Sequence, residues 1–493
     1  MPESSVTSPL DRFSESLERS DLIGWLRDGL IGEGALIPGP FGPKALIYAD
    51  YVASGRALRQ VEQFVMTEVL PHYANSHTEA SFCGAQMTRL RNAARRVISQ
   101  CTGASSDHSV IFCGSGATAG LNRLVYLFGV PELVARGQRV VVFIGPYEHH
   151  SNILPWRASG AEVIEISEGP EGGPDLDELA HALDASSGAA LRVGAFSAAS
   201  NVTGIKTDVV ALTRMLRNAN VRSVLDYAGG GPYLPIDMGC GADAVVISPH
   251  KFLGGPSASG LLIVRRDAVF RDTPVFPGGG TVQFVSPVGQ IYAPDLCSRE
   301  ESGTPNVIGD IRAALVFLIK DAIGQEWMDA RHASLDERAR SVWMHNPKIE
   351  LLGMGRGARL PIFAFRVRHA RHGYIHHQLF TRMLSDCHGI QARGGCACAG
   401  PYAHRLLKIS CAQSAAISHD IQAGNEMEKP GWVRLNFSAL LENAKADQII
   451  EAVDSLAREP DAAMECYCAD PATARFMPLS KAKVHTTGSQ AMY

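Results

Sequence analysis

The sequence predicts an α/β protein, in which a large domain with a mostly parallel sheet precedes a smaller α+β domain. Between residues 46 and 325, short apolar runs alternate with helical patterns, as in parallel sheets covered by helices on both faces. After Pro305 the pattern changes to one or two long helices over residues 309–340, followed by a mixed region. With 493 residues, 46% of them hydrophobic, the chain can bury more than one core.

Seven apolar runs in the first region have the length and composition of buried strands. In chain order they are HSVIFC (108–113), RVVVFIG (139–145), AEVIEI (161–166), RVGAFS (192–197), VRSVLDY (221–227), ADAVVIS (242–248) and SGLLIVRR (259–266). Helical patterns lie between them, for example over residues 117–128 and 207–218. In the smaller domain, PIFAFRV (361–367) and WVRLNFS (432–438) predict two further strands.

These patterns divide the chain into four segments. Residues 1–45 contain an amphipathic helix at 11–31 and a Gly/Pro-rich connector. Residues 46–325 form the large domain, and residues 326–460 form the small domain. Residues 461–493 form a weakly patterned tail to which the sequence assigns no role.

Composition excludes several classes of function. The net charge of −4 favours neither nucleic acid nor an anionic membrane as a partner. No run of 18 apolar residues predicts a membrane helix, and the polar N-terminus does not resemble a signal peptide, so we expect a cytoplasmic protein. Eleven cysteines, an odd number, argue against a disulfide framework. The pairs Cys396/Cys398 and Cys466/Cys468 lack further ligands at metal-binding spacing, so we predict no metal site.

Polar side chains follow successive strands of the predicted sheet. GSGAT (114–118) comes after the first strand and opens a helix, whose N-terminal N–H groups can bind an anion. His149 follows the second run, Asn201 follows RVGAFS, and Asp226 ends VRSVLDY. Lys251 follows ADAVVIS. Because ligands of open α/β sheets bind at the carboxyl ends of the strands, we expect these groups to share one site.

Pyridoxal phosphate needs this combination of groups. The helix N-terminus suits its phosphate, a lysine forms a Schiff base with its aldehyde, and an acid holds a proton on its ring nitrogen. An imidazole such as that of His149 can stack on the ring. The glycine-rich turn also fits a relaxed dinucleotide fingerprint, but the nearby acid, Glu132, lies in a turn rather than at a second strand end. Taken singly, Asp226 is better explained as a buried cap and His149 as a core histidine, and it is their joint order on successive strands that favours the cofactor.

Several motifs resemble those of class V pyridoxal-phosphate enzymes of fold-type I, and within them the branch of cysteine desulfurases and selenocysteine lyases. The resemblance covers about residues 46–455. It rests on YADYVASG (48–55), EHHSNILPW (148–156), SNVTG (200–204), SPHKFLGGPSASG (248–260) and SGTPN (302–306).

The resemblance implies a fold-type I transferase fold, bound pyridoxal 5'-phosphate and a homodimer. Lys251 would hold the cofactor, Asp226 would pair with its pyridine nitrogen, and His149 would stack on the ring. Asn201 would lie near the ring hydroxyl and the substrate carboxylate, which Arg434 would bind. The implied phosphate ligands are Ala117, Thr118, Ser248 and His250, with Thr304 supplied by the partner subunit.

The segment GIQARGGCACAGPYAHR (389–405) resembles the loop that carries the nucleophilic cysteine of desulfurases. In that alignment Cys398 is the nucleophile, and Arg393 is the flanking arginine that favours its thiolate and lies near the substrate. The GCAC form is also similar to molybdenum cofactor sulfurases, although the tail lacks the composition of their cofactor-binding domain. An incidental or buried cysteine is the alternative interpretation of Cys398 and of Cys396.

Two departures from the family pattern leave the substrate open. Gly229 stands where the family usually has a glutamine that bonds the ring hydroxyl, and Cys396 and Ala397 stand where it commonly has two histidines. The leading hypothesis is a desulfurase that converts L-cysteine to alanine, leaves a persulfide on Cys398 and passes the sulfur to an acceptor protein. The alternatives are a class V aminotransferase, epimerase or lyase acting on another amino acid, and a non-catalytic sulfur carrier or scaffold.

Overall fold

The computed structural model describes residues 8–76, 79–396 and 398–479. Ala397 and residues 480–493 of the predicted tail lie outside them. The chain between His108 and Arg265 forms a seven-stranded sheet. All its strands are parallel except Leu261–Arg265, which is antiparallel to both neighbours. The predicted mostly parallel sheet is thus confirmed. In spatial order the strands are His108–Phe112, Leu261–Arg265, Ala244–Ile247, Arg222–Asp226, Leu191–Ser197, Val140–Ile144 and Glu162–Glu165.

Helices cover both faces of this sheet, because its central strands are apolar on both sides. All five residues of Val140–Ile144 are buried, as expected for a strand between two helical layers. Val307–Ile323, apolar around most of its circumference, packs against Phe82–Cys101 and confirms the long helix predicted after residue 305. The other helices of eight or more residues are Pro9–Leu17, Gly116–Leu127, Leu176–Ala185, Val209–Asn218, Gln325–Trp343, His377–His388, Cys411–Gln422 and Asn443–Arg458.

The prediction of one continuous N-terminal helix over residues 11–31 is wrong. The chain forms two helices, Pro9–Leu17 and Leu22–Asp28. The second begins where the Asp21 carboxylate accepts a hydrogen bond from the Gly24 amide at 3.1 Å. A side chain that caps a new helix in this way competes with continuation of the first.

A second, five-stranded sheet follows the long helices. Its antiparallel strands run in the order Ile349–Leu351, Ile362–His369, Trp432–Asn436 and Arg393–Gly395, and Gly373–Tyr374 pairs with Ile362–His369. The two strands predicted here are present, whereas Arg393–Gly395 was not predicted. In this pairing the Cα atom of Arg393 lies opposite that of Arg434.

Short elements complete the described part of the chain. The strand pairs are Leu36–Ile37 with Lys44–Ala45, Ile47–Tyr48 with Ile390–Gln391, Val282–Ser286 with Gly289–Tyr292, and Tyr467–Asp470 with Arg475–Pro478. The short α-helices are Arg59–Phe64, Val130–Ala135, Leu154–Ala158, Leu296–Glu300, Gly400–Leu406 and Asp461–Met464. No helix among the described residues combines the length and apolarity needed to cross a membrane. The division into domains at residues 45, 325 and 460 stays a prediction.

The second sheet has its own aromatic core, centred on Trp343. The indole of Trp343 is fully buried, lies 5.1 Å from the ring of Phe363 and 5.9 Å from that of Phe365, and donates from Nε1 to the carbonyl of Ile450 at 3.1 Å. This donor is satisfied although no water can reach it.

We expect Trp343→Ala to lower the free energy of unfolding by about 3–5 kcal/mol, because it leaves a large cavity in this core. Trp343→Phe should lose less, since most of the aromatic packing remains. Urea denaturation followed by circular dichroism measures both. Equal losses in the two variants would contradict a packing role for the indole.

Candidate active site

A cavity of about 810 Å³ opens at the carboxyl ends of the parallel strands. Its lining includes all the predicted site residues of this chain except Thr304, namely Ala117, Thr118, His149, Asn201, Asp226, Ser248, His250, Lys251, Arg393, Cys398 and Arg434. Thr304 is exposed, and its predicted role in a partner subunit stays a prediction. Chain segments that are distant in the sequence therefore meet in one place, as the strand-end pattern indicates.

Asp226 is the last residue of strand Arg222–Asp226, and Lys251 follows the neighbouring parallel strand Ala244–Ile247. Burial lowers the pKa of Lys251 to about 8, while the negative charge of Asp226 raises it. Asp226 is 4% exposed, and burial raises its pKa, whereas the Ala228 N–H that donates to Oδ1 at 2.7 Å lowers it. The site thus combines an amine that loses its proton more easily than a free lysine with a buried carboxyl group whose charged form is favoured by a positive charge nearby.

The turn before helix Gly116–Leu127 forms an anion cradle. Gly114 and Gly116 have φ angles of +63° and +62°, which favour glycine, and the helix N-terminus opens toward the cavity. The Ala117 amide donates to Ser248 Oγ at 2.9 Å, and the hydroxyls of Thr118 and Ser151 are 2.7 Å apart. His250 lies beside them, and burial lowers its pKa to about 4, so its imidazole is neutral. The cradle presents N–H and O–H donors without a permanent charge.

The imidazole of His149 lies in the same cavity. Its Nδ1 accepts a hydrogen bond from the Ser151 amide at 3.1 Å, which fixes the ring orientation. Burial, and then the positive charge of Lys251, lower its pKa to about 4. A neutral ring in a fixed orientation is suited to stacking on a flat ligand.

Glu148, which the sequence did not point to, supports this end of the sheet. Its buried carboxylate accepts hydrogen bonds from the Asn152 side chain at 2.6 Å and from the Ser197 amide and hydroxyl at 2.8 and 2.7 Å. Burial raises its pKa to about 7, although these hydrogen bonds act to lower it. The network ties the chain before His149 to the end of strand Leu191–Ser197.

Two arginines line the opposite side of the cavity and share one carboxylate. Asp50 Oδ1 accepts from Arg434 Nη2 at 2.8 Å, and Oδ2 accepts from Arg393 Nε at 3.0 Å. Arg434 Nη1 also donates to the Asn201 carbonyl at 3.0 Å. We did not predict a role for Asp50, although it lies inside the quoted motif YADYVASG, directly after the apolar run ALIYA.

Cys398 lines the cavity on a loop that is held at two points by His150. The His150 amide donates to the Cys398 carbonyl at 2.9 Å, and His150 Nε2 accepts from the Gly400 amide at 3.0 Å. Cys398 is exposed and has a φ of +55°, a conformation that is uncommon for a residue with a side chain. Cys396 is half-buried and packs against the apolar cluster around Tyr402. The two cysteines of the GCAC segment thus have different surroundings.

Gly229, the first departure from the family pattern, also lines the cavity. A Cβ atom at this position would lie 3.3 Å from the Cβ of Asn201. A larger side chain would therefore extend along Asn201, and glycine leaves that space to a ligand. Among the described residues, no group of three or more His, Cys, Asp or Glu side chains could hold a metal ion.

Comparison with known proteins agrees with this geometry. A family model described as aminotransferase class-V matches residues 47–422. The chain is 29% identical over 366 residues to a probable cysteine desulfurase of Xylella fastidiosa, covering 73% of this chain and 83% of that protein. It is 30% identical to probable cysteine desulfurase 2 of Mycobacterium leprae, covering 60% of this chain and 70% of that protein.

Solved structures give the same fold. An apo cysteine desulfurase from Thermococcus onnurineus superimposes with a TM-score of 0.69 at 21% identity, covering 84% of this chain and 95% of that chain. The cysteine desulfurase CsdA of Escherichia coli gives a TM-score of 0.67 at 23% identity, with 84% and 94% covered. The predicted fold-type I architecture is confirmed.

We expect His150→Phe to increase the alkylation rate of Cys398 by about two- to tenfold, because the loop loses the hydrogen bond to the Gly400 amide. His150→Gln should keep the wild-type rate, since its side-chain oxygen can accept from the same amide. Mass spectrometry of the Cys398 peptide after timed treatment with iodoacetamide gives the rates. Equal alkylation rates in the two variants would show that the hydrogen bond from Gly400 to His150 does not hold the Cys398 loop.

Proposed function

Because the chain belongs to the class-V aminotransferase family, we propose that it is a pyridoxal-phosphate-dependent cysteine desulfurase. It removes sulfur from L-cysteine, yields alanine and leaves a persulfide on Cys398. The observation that carries this proposal is the meeting of Lys251, Asp226, Arg434 and Cys398 in one cavity. The relatives named as cysteine desulfurases support the same reaction.

The residues present fit pyridoxal phosphate. The donors at the start of helix Gly116–Leu127 suit its phosphate, Asp226 suits its ring nitrogen and His149 suits its ring face. Lys251 supplies the amine that attaches it. When bound, the cofactor supplies an aldehyde for attachment to amines and a ring that accepts electrons from the substrate carbon.

The residues around the cofactor have separate roles in the reaction. Arg434 and Arg393 bind the substrate carboxylate, and Asp226 holds a proton at the ring nitrogen. Lys251, with a pKa of about 8, accepts the Cα proton of the substrate and returns it during turnover. Neutral His149 keeps the ring in place without adding a charge.

Cys398 performs the covalent step. Its thiolate attacks the sulfur of the substrate, so that an S–S bond forms and the Cβ–S bond breaks. The electron pair of the broken bond stays with Cβ, which takes up a proton and becomes the methyl group of alanine. The exposed position of Cys398 on a loop at the cavity edge lets an acceptor protein reach the persulfide.

We also infer a homodimer. In the hairpin Val282–Ser286/Gly289–Tyr292, four large apolar side chains are more than half exposed, which is unusual for a surface that faces only water. They are Phe284, Val285, Val288 and Ile291. Thr304 lies in the nearby segment SGTPN and is exposed too. A cytoplasmic location stays a prediction.

One observation favours a second candidate, a class V aminotransferase, epimerase or lyase that acts on a larger amino acid. Gly229 leaves open the space beside Asn201 that a glutamine would fill. A screen of amino acids for release of sulfide, alanine and keto acids, run with an added thiol that reduces the Cys398 persulfide to thiol and sulfide, separates the candidates. Only the desulfurase then yields sulfide and alanine from cysteine in equal amounts.

Lys251→Ala should abolish the visible absorbance of the reconstituted protein and its release of sulfide, because no other lysine lines the cavity among the residues that the structure describes. Lys206→Ala, a change outside the cavity, should retain both. Absorbance spectra after gel filtration provide the measurement. A Lys251→Ala protein that keeps the wild-type spectrum would exclude Lys251 as the point of attachment.

Cys398→Ser should keep the visible absorbance and reduce sulfide release from L-cysteine by more than about 100-fold, because the covalent route is lost. Cys396→Ser, the matched change two residues away, should stay within a few-fold of wild type. Sulfide assays on both purified variants, with an added thiol as reductant, test this. If both variants lose activity equally, the nucleophile is not assigned to Cys398.

A further inference from the structure

The carboxylate of Asp50 joins the two arginines of the substrate site. It bonds Arg434 through Oδ1 at 2.8 Å and Arg393 through Oδ2, which lies 3.0 Å from Nε and 2.9 Å from Nη2. Two guanidinium groups side by side repel each other, so the carboxylate between them keeps both in place. Without it, the half-exposed Arg393 could turn to solvent.

Asp50 acts from behind the arginines rather than from within the cavity. It is 8% exposed and is absent from the cavity lining, which includes Arg393, Arg434 and the next segment, Val52–Ser54. Its backbone lies between two elements, because the Ala49 amide donates to Gln391 and the Ala49 carbonyl accepts from the Asn436 amide. The position of Asp50 is therefore fixed before any substrate enters.

The charges at this end of the cavity do not cancel. Two guanidinium groups and one carboxylate leave one positive charge, which the α-carboxylate of an amino acid neutralises. Arg434 Nε is buried and has no hydrogen-bond partner within the described part of the chain, so the subsite retains a donor beyond those that Asp50 and Asn201 use. A second acidic group on the substrate would meet no remaining positive charge here.

We propose that Asp50 is a positioning and specificity-determining residue, which limits the carboxylate subsite to one net positive charge and so selects amino acids with a single carboxylate. This inference rests on the proposed function, since it takes Arg393 and Arg434 as the site of the substrate carboxylate. It goes further by naming the substrate class, which is amino acids with an uncharged side chain, and the residue that sets it.

L-Asparagine and L-aspartate test this selection, because they have the same shape and differ by one charge. We expect the wild-type holoenzyme to bind L-asparagine at least about tenfold more tightly than L-aspartate. Asp50→Asn keeps the shape of the side chain and removes its charge, so it should reduce this preference by about tenfold. Asp50→Glu keeps the charge and should retain more of the preference than Asp50→Asn. Calorimetric titration of each holoenzyme measures both ligands.

Asp336 offers a matched control elsewhere in the chain. Its buried carboxylate also lies between two arginines, at 2.7 Å from Arg340 Nε and 3.4 Å from Arg359 Nε, and none of the three lines the cavity. Asp336→Asn should change thermal stability without changing the ratio of the two ligand affinities. A ratio that shifts equally in both variants would reveal a structural effect and overturn the proposal.

A second measurement does not depend on the ligands. Burial lowers the pKa of the Lys251 amine, and among the charges that act on it Asp226 and Asp50 raise its pKa whereas Arg434 and Arg393 lower it. The neutral imidazoles of His149 and His250 also lie beside this amine. The same charges act on a protonated nitrogen that attaches the cofactor at this position. Removing the Asp50 charge should therefore lower the pH at which the visible absorbance of the bound cofactor titrates, and Asp336→Asn should leave this pH unchanged.

An unchanged affinity ratio in Asp50→Asn would overturn the proposal, and so would an unchanged titration. Neither result depends on release of sulfide. If cysteine yields no sulfide but the ratio shifts as expected, the desulfurase reaction fails and the role of Asp50 stands. If sulfide is released and the affinity ratio does not shift, the desulfurase reaction stands and the role of Asp50 fails.

Discussion

The rest of the site depends on one constraint, which is that the buried charges of Lys251 and Asp226 must compensate each other. Burial disfavours the ammonium form of Lys251 and the carboxylate form of Asp226, while their mutual attraction favours both. The balance leaves an amine with a pKa of about 8 next to an acid that can hold a cation. Asp226 ends one strand and Lys251 follows the adjacent parallel strand, so the sheet brings both to the same edge.

The same balance of burial and pairing recurs around the cavity. Arg434 is 3% exposed and is stabilised by Asp50, and the buried Glu148 is stabilised by Asn152 and Ser197. Each of these groups would be costly to bury alone, so each has a partner that also fixes its orientation. Binding and proton transfer require side chains in fixed orientations. Here the partners that compensate the buried charges also fix those orientations.

The strand-end residues could be predicted because the period of a strand and the direction of a parallel sheet bring them to one edge. Asp226, Lys251 and the glycine turn at 114–116 follow from local patterns in this way. Asp50 could not be assigned, because its role appears only when strand Arg393–Gly395 pairs with Trp432–Asn436. The sequence RGG has no apolar alternation to predict that strand. The break in the first helix was missed for a similar reason, since one Asp21 hydrogen bond outweighs the apolar pattern.

The cavity is built by two sheets with different tasks. The seven-stranded sheet supplies the amine, the ring partners and the anion cradle, whereas the five-stranded sheet supplies Arg393 and Arg434. Hydrogen bonds join the two parts, among them Arg434 Nη1 to the Asn201 carbonyl and the Gly400 amide to His150. The departure at Cys396 comes directly after strand Arg393–Gly395 of the second sheet, and Gly229 lies beside Asn201. A change at Cys396 can therefore alter the substrate while the seven-stranded sheet, which supplies the cofactor end of the site, stays intact.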